Sequence, residues 1–205
     1  MTEAIEKNAR GGSAGQTAQA RKSVLSQIIQ MANPVFVIIA VFVPIGALVY
    51  ALVSGSLLAL NYVHILTGGL WTGIDLFMGF VLGPVLGSMD PAARVSLFRR
   101  LMPKMTFLMP VIAAVTATAG LKLAGHIGYS LTSPKIIAAL IITGILTVQG
   151  FGLLLPNEIR IFQQLLSDKP DTALISKLGM SNARLGGLQG VFQLGIIFIM
   201  AFIRF

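Results

Sequence analysis

The run Val35 to Val53, VFVIIAVFVPIGALVYALV, contains no charged residue. At about 1.5 Å of rise per residue it approaches the roughly 30 Å thickness of a bilayer's hydrocarbon core, so it can span one. Inside lipid each backbone donor and acceptor needs an internal partner, and the alternating pattern that a barrel strand requires is absent, so the run reads as a helix. Four further windows behave in the same way. The spans lie at about 35–53, 62–87, 105–124, 134–155 and 185–203. The expected fold is all-α, an integral membrane bundle of five transmembrane helices over 31–205, with 1–30 as a short flexible cytoplasmic tail. Composition agrees: 55% of residues are hydrophobic and 11% charged, against roughly a quarter charged in an ordinary soluble domain.

The formal net charge of +8 does not point to nucleic acid, because the basic residues are scattered at helix ends. Lys7, Arg10, Arg21 and Lys22 precede the first span. Arg94, Arg99, Arg100 and Lys104 lie between the second and third, and Arg160, Lys169, Lys177 and Arg184 between the fourth and fifth. Only Lys122, Lys135 and Arg204 fall on the opposite side, so the positive-inside rule gives an N-in, C-out, multi-pass protein of the cell inner (cytoplasmic) membrane. The chain has no cysteine, which excludes disulfides, iron–sulfur clusters and thiolate metal sites.

Within this plan, KSVLSQIIQMA is expected to form a short amphipathic turn at the membrane surface. Pro44 should bend the first span. The segment 88–104 reads as a short basic helix at the headgroups, with Asp90 as N-cap and Pro91 in the first helical position. The 156–184 loop reads as two short helices, or as an extension of the fourth span followed by a turn at Lys169-Pro170-Asp171. No fixed-period repeat is evident.

The second span carries the most chemistry. In HILTGGLWTGID, His64, Trp71 and Asp75 fall at i, i+7 and i+11, which leaves His64 and Asp75 about 20° apart around a helix. They share a face but lie roughly 16 Å apart along the axis, too far to ligate one metal together. A carboxylate in lipid costs several kcal/mol unless protonated or paired, which makes Asp75 a candidate catalytic or proton-handling group. The plainer reading pairs it with Gln149, Gln189 or Gln193 on a neighbouring helix. Imidazole suits iron, so His64 is a candidate haem ligand, or else a hydrogen-bonded interfacial histidine.

Other residues offer weaker chemistry. Gly69, Gly73, Gly79, Gly83 and Gly87 follow the small-xxx-small pattern of close helix packing. Lys122, His126 and Lys135 sit at the same membrane level as His64, where lysines also snorkel to headgroups. Met102, Met105 and Met109 share one helical face, on which three thioethers either hold Cu(I) or pack. Glu158 is expected to pair with a basic residue of the 88–104 segment as an anchor.

The pattern HILTGGLWTG, followed by a basic loop and AAVTATAGLKLAG, resembles the membrane families grouped around the copper-resistance D protein and the HemJ-type protoporphyrinogen oxidase. The likeness covers roughly residues 60–205. It implies haem b bound near the outer leaflet, with His64 matching the family's histidine, Lys135 in SPKIIAALIIT its lysine, and Trp71 part of the cofactor's surroundings. The activity it implies is electron transfer or an oxidoreductase role, with a quinone or a partner membrane subunit as electron partner. Two alternatives stand beside it. One is a copper or small-solute transporter that uses Met102, Met105, Met109 and Asp75, with His64 as a further copper ligand. The other is a non-catalytic accessory subunit of a membrane complex. Whether the chain is an enzyme, and whether it forms a homo-oligomer, stay open at this point.

Overall fold

A computed structural model describes residues 25–204 of the chain, with side chains as far as residue 202. Every regular element among the described residues is a helix. A short helix α1 (25–32) is followed by α2 (Pro34–Ser54). Then α3 (Leu57–Leu76), a π-helical turn (Phe77–Leu82) and α4 (Gly83–Ser88) form one continuous rod. Next comes α5 (Pro91–His126). A second interrupted rod joins α6 (Pro134–Gln149), a π-helical turn (Gly150–Leu154) and α7 (Leu155–Leu165). The last helix is α8 (Thr172–Arg204). Five of these rods are long and apolar enough to cross a membrane, as the sequence led one to expect. Of the flexible tail expected at 1–30, residues 1–24 lie outside the described residues, while 25–30 are not tail but part of the helix α1.

Local chemistry sets the ends. Asn33, at φ 73°, separates α1 from α2, and its Oδ1 accepts from the Val35 N–H at 3.0 Å, with Pro34 opening the helix. Gly55 closes α2 at φ 64°, in the left-handed region that glycine enters without a Cβ penalty. Ser56 Oγ then caps α3 by accepting from the Ala59 N–H.

The boundaries differ from expectation at two places. Residues 88–104 do not form a separate surface helix; they are the first half of α5, which runs unbroken for 36 residues, about 54 Å, through Pro103 and Pro110. Each proline removes the donor that would have met the carbonyl four residues earlier, Arg99 for Pro103 and Thr106 for Pro110, and the helix carries on past both. Asp90 occupies the cap position through its backbone only, its carbonyl accepting from the Arg94 N–H at 2.9 Å. The 156–184 segment does become an extension and a turn, but α8 starts at Thr172, well before the expected 185, with Asp171 Oδ1 capping Leu174 N–H.

The two π turns share a cause. Each lies just before a proline, Pro84 or Pro156, whose ring would clash with the carbonyl four residues earlier. The helix widens instead, so the preceding residue donates five residues back, Gly83 to Met78 O and Leu155 to Gly150 O. Both turns belong to a recurring sequence. Thr72-Gly73-Ile74 followed by Gly79-Phe80 and Leu82 returns, with the same spacing, as Thr143-Gly144-Ile145, Gly150-Phe151 and Leu153. The second and fourth spans, which run in the same direction, therefore carry a repeat that its single occurrence at a non-standard period hid.

α3 packs against α2, α5 and α8, and α8 in turn against α5, α6 and α7. One core lies toward the basic end, around Leu86, Phe98, Met102, Ile161, Ile175 and Ala183. The other, around Ala51, Leu60, Val63, Val115 and Ala119, joins α2, α3 and α5 at the opposite end. Glycine decides the contact between the first π turn and α8: a Cβ on Gly79 would sit 2.2 Å from Gly187 Cα, so the two backbones touch there. Of the other small-xxx-small positions, Gly69, Gly73 and Gly87 meet nothing within 4 Å and Gly83 meets only the Met78 carbonyl of its own rod, so most of that pattern does not serve packing. α6 leans on α8, and α5 and α6 stand apart.

Candidate functional site

The gap between α5 and α6 is a groove of about 230 Å³ inside the apolar spans. Its floor is α3 and α8, contributing Trp71, Asp75, Gly186 and Gln189. One wall is α5, from Met102 to Ala117, a reach of about 22 Å. The other is the rod of α6 and α7, from Thr143 to Glu158. The space exists because both sides bring small residues to it: Ala113, Ala114 and Ala117 on α5, Gly150 and Gly186 opposite.

Asp75 is buried, at 3% exposure. Its Oδ2 accepts from Gln193 Nε2 at 2.8 Å, and the Trp71 indole N–H is its second partner. Gln193 was one of the three amides expected to meet it. Gln193 Oε1, also buried, has no partner. The other two amides do a different job. Gln149 Nε2 donates to Leu185 O at 2.9 Å and Gln189 Nε2 to Leu146 O at 3.2 Å. Further along, Asn157 Nδ2 donates to Asn182 Oδ1, and Asn182 Nδ2 to Leu154 O. These amides pin the α6–α7 rod to α8 on both sides of its π turn, and Asn182 carries no warning in the sequence, since it falls in the polar 156–184 segment.

At the basic end of the groove, Glu158 Oε2 accepts from Thr106 Oγ1 at 2.7 Å, across the two walls. The expected ion pair with the 88–104 segment is absent. Arg94 of that segment instead donates to Ser176 Oγ and to Met89 O, tying the α4–α5 corner to α8. Neither Asp75 nor Glu158 meets a cation among the described residues.

The three methionines, Met102, Met105 and Met109, all line the groove on the α5 wall. Trp71 and Asp75 belong to the same site, while His64 does not. Its Nδ1–H donates to the Thr116 carbonyl at 3.0 Å, since a carbonyl can only accept, which leaves Nε2 as the free lone pair. That lone pair faces Met200 Sδ at 3.5 Å. Axial ligands on opposite faces of a haem iron, with bonds of roughly 2.0 and 2.3 Å, would stand about 4.3 Å apart, farther than these two atoms. On the other side the ring lies flush against α5, where a Cβ on Gly120 would be 2.7 Å from Cε1. Haem is the group the resemblance implies, and these surroundings do not fit a porphyrin. Lys135 reaches the same end of α8, where its Nζ donates to Phe202 O at 2.6 Å. It caps a helix end there, as cations at C-termini do.

The face that His64, Trp71 and Asp75 share in sequence is real, but it meets two environments, packed at one end and open at the other. Sequence reasoning missed the alanine wall and the glycines of α8, Gly186, Gly187 and Gly190, which set how closely α3 approaches. The signal available for them was LGGLQG, a cluster of small residues in the last span. Compared with family models, curated proteins and solved structures, the chain gives no match to any of them.

Proposed function

We propose that this multi-pass membrane protein binds a small, largely apolar organic solute in the groove between α5 and α6, and that it belongs to the small-solute transporter class. The observation that carries the reading is the groove itself: about 230 Å³ of mostly apolar space around a few convergent polar groups, Asp75, Trp71 and Glu158. Binding sites for small molecules have this make-up. Such a volume suits an organic molecule and is far larger than a bare ion requires. The recurring Thr-Gly-Ile and Gly-Phe segments add support, because transporters place substrates where two repeats meet, beside helices interrupted at corresponding positions by glycine and proline. Here the interruptions are the turns before Pro84 and Pro156. The solute would enter from the lipid, through the gap between α5 and α6. By the positive-inside rule the end bearing Arg94, Arg99, Arg100, Lys177 and Arg184 faces the cytoplasm.

The chain's one tryptophan lies in the groove, so its emission reports on occupancy. N-phenyl-1-naphthylamine, a neutral apolar dye that accepts energy from tryptophan, is expected to quench Trp71 saturably in the detergent-purified protein. Ala113→Leu, which fills the wall, should weaken the quenching about tenfold or more while the protein stays folded. Quenching that never saturates, or that ignores Ala113→Leu, would overturn the reading. A Soret band in the purified protein that disappears in His64→Ala would overturn it in favour of haem, and stoichiometric Cu(I) retention dependent on Met105 and Met109 in favour of copper.

A further inference from the structure

The solute's charge is written into the groove's lining. The chain has 15 lysines and arginines against 7 aspartates and glutamates. The groove reverses that balance: it takes in two carboxylates, Asp75 and Glu158, and no lysine, arginine or histidine. Chance alone would favour the opposite outcome in so basic a chain. Inside a membrane, ionisable groups are kept at a cost and mark the path of what is bound or moved. Neither carboxylate spends its charge on a protein cation, since Asp75 is met by neutral donors, Gln193 and Trp71, and Glu158 by the Thr106 hydroxyl.

The remaining walls suit one kind of visitor. Trp71 offers the ring face that attracts cations most strongly. Met105 and Met109 supply soft, polarisable contacts that adapt to irregular organic shapes. We infer that the groove selects lipophilic monocations, molecules with an apolar body and an ammonium or comparable positive centre, and that Asp75 and Glu158 supply the selecting charge. A positive centre inside the groove supplies the partner that each buried carboxylate otherwise lacks, and so favours its charged form in a setting where charge interactions are much less screened than in water. An anion of the same size offers no such partner, and a neutral isostere gains only the apolar contact.

The inference rests on the groove being the binding site, and the test separates the two. Trimethylphenylammonium and tert-butylbenzene have nearly the same shape and differ in charge. Each is titrated against bound N-phenyl-1-naphthylamine, with benzenesulfonate as the anionic probe and aqueous concentrations corrected for uptake by detergent. The ammonium ion is expected to displace the dye at a concentration about tenfold or more below that of tert-butylbenzene, and benzenesulfonate not to displace it. In Asp75→Asn and in Glu158→Gln, each of which keeps a hydrogen-bonding group in place, the preference for the cation should shrink, and in the double variant trimethylphenylammonium and tert-butylbenzene should displace the dye at equal concentrations. Equal displacement by the cation and its neutral isostere in the unaltered protein, or stronger displacement by benzenesulfonate, overturns the inference and leaves the binding site standing. A cation preference that survives the double variant also overturns it. Failure of the dye to bind the unaltered protein removes the site itself.

Discussion

His64 and Asp75 lie on one face of one helix, yet they end in opposite surroundings. At the His64 end, α5 presents Gly120 and α8 presents Met200, and the imidazole fills the space between them, with Nδ1–H on the Thr116 carbonyl and Nε2 against the Met200 sulfur. At the Asp75 end, α5 presents alanines and α6 has moved away, and the carboxylate faces a groove. The difference does not come from α3. It comes from what the neighbouring helices bring to each level, and it teaches that a polar residue in a membrane span announces a partner without saying whether that partner is protein or ligand.

The contrast breaks most sharply by adding bulk. Gly120→Leu drives a side chain into the His64 ring and should cost about 1–3 kcal/mol, read as a lower unfolding temperature in detergent. Ala113→Leu, with its side chain directed at the groove, should leave that temperature nearly unchanged. If both variants lose stability equally, the two ends do not differ as described. Removing the ring is the next test. His64→Ala should cost about 1–2 kcal/mol for the lost Thr116 bond and contacts, while the affinity for N-phenyl-1-naphthylamine stays as it was. A loss of dye binding in His64→Ala would join the two ends into one functional unit. The smallest expected effect sharpens the picture of the far wall. Gln189→Leu removes the bond to Leu146 O and should lower stability by about 1 kcal/mol, with a matching rise in amide exchange along α6 that does not extend to α2.

How far the sequence revealed all this depended on which physical signal carried it. The five spans were legible because a 19-residue run such as Val35 to Val53 without charge has few alternatives in any solvent. Their ends were less legible. The segment 88–104 read as a separate surface helix, but one long helix runs from Pro91 through Pro103 and Pro110 into the third span. The π turns were not legible at all, since a widened turn is a response to proline and packing together. At the site, the residues of Trp71, Asp75 and the methionine face were visible from helical spacing. Their assembly was not, because it depends on Ala113, Ala117 and Gly186, which announce themselves only by being small. The resemblance centred attention on His64, whose neighbours, Gly120 and Met200, lie far along the chain and could not be read from HILTGGLWTG.

The widened turns also give each interrupted rod a phase shift. One extra residue between Gly150 and Leu154 rotates everything after it by about 100° relative to an unbroken helix. Asn157 and Glu158 owe their inward aim to that offset, and a chain shortened by a single residue at this point would turn both toward the acyl chains, disconnecting the lower half of the rod from Asn182 and Thr106 while leaving the upper half in place.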